Sequence, residues 1–234
     1  MADVTKHKQS EVTGEKTGRE VGSDIDAFVQ RSRALQSANR AQARGRLLFA
    51  LDATASRQPA WDMAMHLQAE MFEEVTTLDV QLCYYRGLDE FQASGWIASG
   101  ERLANLMTKI NCRAGKTQIG KVLRHARHEA EKAKVTMVFI GDAFEEDLDV
   151  LAATAGELGR SGVKVFMFQE GSDTNVEQAF REIARLSGGA YCRFDASAPH
   201  QLAALLRAVA AFAVGGVKAL EAKPAGVRLL EQLR

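Results

Sequence analysis

The sequence predicts a three-layer, doubly wound α/β domain with a mostly parallel sheet and one antiparallel edge strand. Three observations lead there. Short apolar runs alternate with amphipathic stretches of helical period, the pattern of strand and covering helix in a parallel sheet. One pair of strand-like runs has no helix between it: 78–86 turns through Gly87-Leu88-Asp89 directly into 90–94, which reads as an antiparallel hairpin. The chain has 234 residues, 46% of them hydrophobic, so it can bury one full core and has little left for a second.

Taken in order, residues 1–22 hold almost no bulky apolar side chains and are expected to be disordered. Ser23 can cap an N-terminal helix over 23–44. Its Ile25, Phe28, Val29 and Leu35 make one narrow stripe, which suits packing beside the first strand better than holding a partner. The domain is expected over 45–214. Its first strand, 46–51, is continuously apolar, as a strand buried on both faces requires. A helix follows from Pro59, a residue suited to a first turn, to Val75, with Ala64, Leu67 and Met71 on one face. Helices are predicted at 99–110, 119–134, 147–160 and 174–187, and strands at 135–141, 163–169 and 190–194. In the helix at 174–187, Val176, Ala179, Phe180, Ile183 and Leu186 share a face and Gly188 is a natural terminator. Leu202, Leu205, Leu206, Val209 and Phe212 stripe the last core helix, which Gly215-Gly216 ends. Residues 215–234 form a C-terminal tail around Pro224, expected to dock back through Leu229, Leu230 and Leu233.

Thirty basic residues balance thirty acidic ones, which gives no electrostatic case for nucleic acid or an anionic membrane. No apolar run approaches a transmembrane length by this reading, and the N-terminus lacks an apolar signal region. Cys83, Cys112 and Cys192 are odd in number and far apart, as in a reducing compartment. A cytoplasmic location is expected.

The chemistry concentrates at strand ends. Leu47-Leu48-Phe49-Ala50-Leu51 runs into Asp52-Ala53-Thr54-Ala55-Ser56, so a carboxylate and two hydroxyls emerge at alternate positions where open α/β sheets bind ligands. Thr117 lies in Gly115-Lys116-Thr117-Gln118-Ile119-Gly120, ahead of a helical stretch, and Asp142 follows Val138-Phe139-Ile140-Gly141. These five hard oxygen donors suit Mg²⁺ far better than Zn²⁺.

Here the chain resembles the von Willebrand factor A (vWA) family, whose metal-ion-dependent adhesion site reads D-x-S-x-S, then a threonine loop, then an aspartate after a later strand. The matched residues are Asp52, Thr54, Ser56, Thr117 and Asp142. Thr54 departs from the usual serine. Glu182-Ile183-Ala184-Arg185-Leu186-Ser187-Gly188-Gly189 is similar to the family's helix end before its last strand. The resemblance spans about residues 45–213 and implies a vWA/Rossmann-like fold holding Mg²⁺, with Mn²⁺ or Ca²⁺ as alternatives. Some ligands act through water in that family, and a partner's carboxylate completes the coordination. It further implies an adaptor whose protein ligand presents an exposed Asp or Glu, of the kind found on ATPases or chaperone-like complexes. Arg57, Trp61, Gln118, Phe144 and Glu145 are the expected rim of that contact. Trp61 suits the core of its helix somewhat better than the rim, and Glu145 and Glu146 suit the start of the next helix.

Rival chemistries fare worse. Arg113-Ala114-Gly115-Lys116-Thr117 ends like a P-loop, but Ile110 stands where its first glycine belongs and a helical stretch precedes it. His125 and His128 are three apart, yet Arg124, Arg127, Glu129, Glu131 and Lys132 around them describe a solvated face. No nucleophile has an evident base, so the chain is not expected to be an enzyme. A metal-assisted hydrolase or nucleotide-binding protein using the same cleft, and a scaffold with a vestigial metal site, are the alternatives.

Overall fold

Six strands in the order β3-β2-β1-β4-β5-β6 form the sheet, seen in a computed structural model that describes residues 44–57, 77–195 and 197–233. The strands are β1 (Gly45–Asp52), β2 (Leu78–Arg86), β3 (Glu90–Ala93), β4 (Thr136–Gly141), β5 (Lys164–Glu170) and β6 (Tyr191–Phe194). All neighbouring pairs are parallel except β2–β3, the antiparallel edge. The segments expected at 1–22 and 23–44 (but for Arg44), and the helix from Pro59 to Val75 with Trp61, lie outside the described residues.

Helices α1 (Gly100–Met107), α2 (Ile119–Ala130), α3 (Leu148–Arg160), α4 (Thr174–Ser187), α5 (Pro199–Glu221) and α6 (Pro224–Leu230) cover the sheet. Leu47, Phe49 and Leu51 of β1 face α1, α5 and α6; Leu48 and Ala50 face α2, α3 and α4. That alternation explains the unbroken apolar run: successive side chains enter opposite cores. Aspartates begin the outer helices. Asp147 accepts from the Asp149 and Val150 amides, and Asp173 from Asn175 and Val176, filling donors that a helix start leaves open. Gly188 ends α4 at φ 64°, a conformation glycine adopts without steric cost. At Gly189 a Cβ would lie 1.9 Å from the Val165 carbonyl oxygen, so only glycine lets this loop cross β5.

Two sequence expectations change. The last helix runs on to Glu221, interrupted where Gly216 takes φ 66°, and α6 follows it. Residues 215–233 are thus largely helical, and the segment docks back as expected, with Leu220 and Leu229 fully buried in the core shared with β1 and Leu230 and Leu233 packed against it. The segment His200–Glu221 is also long and apolar enough to cross a membrane, contrary to the expectation that no run approaches that length. Leu202, Leu206 and Val209 on it are buried against the sheet, a core use of the same composition.

Candidate metal centre

Parallel pairing of β1 with β2 and β4 carries Asp52 and Asp142 to one edge of the sheet, because both follow the last core residue of adjacent strands. Asp52 is 1% exposed. Its Oδ1 accepts from the Thr54 amide at 2.8 Å and its Oδ2 from the Tyr85 hydroxyl at 3.0 Å. Burial pushes its carboxyl above the usual 3.8; Thr54 pulls it down through hydroxyl and amide, the Asp142 charge pushes it up, and Tyr85 lowers it. The two carboxylates therefore repel each other across the site. Tyr85 is fully buried, and burial followed by the Asp52 charge drives its phenol well above 10, so it is a fixed donor.

Thr54 is buried, and its hydroxyl lies 3.3 Å from that of exposed Ser56 in the 3₁₀ turn Ala55–Arg57. Thr117 is buried on the neighbouring loop. Its amide donates to Glu145 Oε2 at 3.1 Å, and its Oγ1 accepts from the Glu145 amide at 3.0 Å. This reciprocal pair locks the threonine loop to the loop after β4. The Arg113 amide donates to the Ala53 carbonyl at 3.0 Å, and Ala53 in turn donates to Tyr85 at 3.0 Å. The three segments are thus tied together, the first two by backbone bonds and the last two by the Thr117–Glu145 pair.

Asp142 is half-buried and differs from Asp52. Its Oδ1 is shielded from solvent and has no hydrogen-bond partner among the described residues. A buried polar atom left without a partner is costly and calls for a reason. A hard cation would supply one, and the remaining donors, carboxylate and hydroxyl oxygens, are those Mg²⁺ prefers. Among the described residues no group of three or more His, Cys, Asp or Glu could share an ion, which disfavours a zinc-type set. The five expected ligands thus come from three segments tied at one strand-end edge, and the donor set fits the ion.

The rim is less as expected. Gln118 is 6% exposed, and its amide donates to the Arg86 and Gly87 carbonyls at 3.3 Å each. It is a strut between loops rather than a contact residue. Phe144 packs partly into the core on the α2 face. Glu145 is exposed but reaches back to Thr117. Arg57 lies in the 3₁₀ turn, and Trp61 is outside the described residues. Glu146 accepts from the Ile119 and Gly120 amides at 2.5 and 2.9 Å, capping α2 from across the cleft where Gln118 offers no side-chain cap. The acidic pair therefore serves the threonine loop and α2, not the helix that follows it.

Tyr85 was the residue sequence reasoning missed, while Glu146 was read as a charge for the helix after it and instead caps α2. Asp52 and Tyr85 are register partners, a relation visible only once β1 and β2 are aligned by their common ends. The histidine face is also corrected. His125 is half-buried, with Nε2 2.9 Å from Gln81 Oε1, and Glu129 is 5% exposed, accepting from Trp96 and Lys132. His128, Arg124, Arg127, Glu131 and Lys132 are exposed as expected. The Gly-Lys-Thr stretch sits in a loop after α1, so the strand that a P-loop needs before it is absent at that point.

No protein-family model and no curated protein matches this sequence. Solved structures do. The SpRpn10 VWA domain aligns over 68% of this chain and 95% of its own at 11% identity, with a TM-score of 0.55. BatB from Bacteroides thetaiotaomicron aligns over 68% and 95% at 18% identity and a TM-score of 0.54. An aerotolerance-related membrane protein from Bacteroides fragilis aligns over 67% and 95% at 21% identity and 0.52. The chain has the vWA fold: a six-stranded, mostly parallel sheet with one antiparallel edge, covered by helices on both faces. At these identities the likeness is one of fold alone.

Proposed function

We propose that this chain is a cytoplasmic protein-binding adaptor that holds a divalent cation, Mg²⁺ first, at Asp52, Thr54, Ser56, Thr117 and Asp142. A partner protein is recruited through an acidic residue that completes the coordination. The observation that carries this reading is the buried, unpartnered Oδ1 of Asp142 facing the same edge as an Asp52 whose both oxygens are engaged. A bound Mg²⁺ supplies a hard centre with a position open to a carboxylate oxygen. Two carboxylates and three hydroxyls give it modest affinity alone, so metal and partner binding strengthen each other reciprocally. The chain's own part is positional: Tyr85 and the Thr54 amide fix Asp52, while Glu145 fixes Thr117. An ATPase or chaperone-like complex is the partner class the vWA resemblance favours. The enzyme reading, a metal-assisted hydrolase in the same cleft, has no observation in its favour.

The test is affinity capture from native extract using wild-type and Thr117→Ala bait, each with Mg²⁺ and with chelator. A partner retained only by the wild-type bait in Mg²⁺ is expected. A partner held equally in all four arms places recognition on another surface.

A further inference from the structure

We propose that Arg113, Lys116 and Leu88 form a basic and apolar bank beside the metal centre, and that the partner segment carries a second acidic residue and an apolar side chain to meet it. This deepens the adaptor reading and rests on it. It also accounts for the Gly-Lys-Thr stretch, which has no P-loop context.

The bank is built on backbone. Gly87 turns β2 into β3 at φ 62°. Its carbonyl accepts from the Lys116 amide at 3.0 Å, and its amide reaches the Arg113 carbonyl at 3.5 Å. At Gly115 a Cβ would lie 1.9 Å from the Gly87 carbonyl oxygen, so the two turns are in direct contact. The Arg113 amide is bonded to Ala53, next to Asp52, and Lys116 directly precedes Thr117. The bank therefore cannot drift from the metal ligands.

Its side chains face solvent with little to hold them. Leu88 is 77% exposed, the most exposed large apolar residue described. The nearby acids are engaged elsewhere: Asp89 pairs with Lys121, and Glu90 lies 2.8 Å from Arg86. Arg113 reaches Glu90 only at 3.6 Å and stays 70% exposed. The Lys116 ammonium has no ion pair or hydrogen bond among the described residues. The loop after β4 is acidic: Glu145, Glu146, Asp147 and Asp149 follow Asp142, with Glu145 bonded to the Thr117 amide and Glu146 to those of Ile119 and Gly120, so that loop repels further negative charge. A segment whose first carboxylate meets the metal must then direct its second towards Lys116 and Arg113. Leu88 beside them takes an apolar neighbour.

The experiment titrates two blocked synthetic peptides into ¹⁵N-labelled full chain, with Mg²⁺ and again with EDTA. One peptide has a single Glu among Gly and Ser; the other has Glu followed by Leu and Asp. In Mg²⁺ the second is expected to bind about three- to tenfold tighter, with the gain shrinking at high salt, and to shift the amides of Leu88 and residues 114–117. Lys116→Glu should erase the preference. Mg²⁺ affinity in that surface variant should hold or rise, since a cation near the ion is replaced by an anion. Metal-dependent binding without preference overturns the bank and leaves the metal reading standing. A preference that survives EDTA and vanishes in Lys116→Glu upholds the bank and removes the metal. No shift with either peptide overturns both.

Discussion

Two tyrosines on this sheet each donate a hydroxyl to a buried acceptor, and their surroundings differ in one respect. Tyr191 donates to Gln169 Oε1 at 2.7 Å, and the same Gln169, fully buried, donates through Nε2 to the Asp173 carbonyl at 2.8 Å. The Tyr191 hydroxyl and both ends of the Gln169 amide are paired there, with the Arg181 guanidinium 4.4 Å over the Tyr191 ring. Tyr85 donates to Asp52 at 3.0 Å, in a cluster with two carboxylates and an unpartnered oxygen on Asp142. A closed polar cluster fixes the packing of β5, β6 and α4. An open one carries a local cost. That difference is what the proposed cation site rests on.

The largest effect expected is in the closed cluster. Gln169→Ala should destabilise by about 2–4 kcal/mol in urea unfolding, because it leaves the Tyr191 hydroxyl unpaired and opens a cavity. Metal affinity should stay the same. Next come the tyrosines: Tyr191→Phe and Tyr85→Phe should each cost about 1–3 kcal/mol, but only Tyr85→Phe should also weaken metal binding, by releasing Asp52. Equal metal affinity in the two variants would erase the distinction drawn between the clusters. Third, Asp142→Asn should stabilise the metal-free protein by about 0.5–1 kcal/mol, since it removes the charge that opposes Asp52. A loss of stability there would place Asp142 with the closed cluster.

The smallest effect concerns pH. His125 belongs with the closed class, paired to Gln81 and packed at a tilt against Phe91. Burial first, then the charges of His128 and Lys132 against that of Glu129, hold its imidazole below 6.5. The unfolded chain then binds more protons than the folded one just below that pH. Its contribution is therefore complete above 6.5 and is lost as pH falls towards the depressed folded value. Urea midpoints at pH 7.5 and 5.5 should diverge less in His125→Gln than in wild type.

Much of this was readable from sequence, and the failures share a cause. The strands announced themselves through apolar runs, and Asp52, Thr117 and Asp142 through their places at strand and helix ends. The order of segments sufficed because a parallel sheet brings all carboxyl ends to one edge. What the chain did not disclose were relations across elements. Gln118 looked like a rim residue because its neighbours are polar, yet it bridges to the turn after β2. Glu145 and Glu146 lie ahead of a helix in sequence but serve Thr117 and α2, some 26 to 28 residues away. His125 and Glu129 sit among charges locally, while β2 and Trp96 cover them from a distance. Local periodicity reports which face is apolar; it carries no register.

The central claim is that the open oxygen of Asp142 belongs to a cation. It is tested most directly by calorimetric titration of Mg²⁺ and Mn²⁺ into the wild-type chain and Asp142→Asn, with unfolding curves recorded on both. The account predicts one ion per chain in the wild type, and no binding in a variant that is folded and at least as stable. Absence of binding to the wild type at saturating metal, or equal binding by the two proteins, would contradict it.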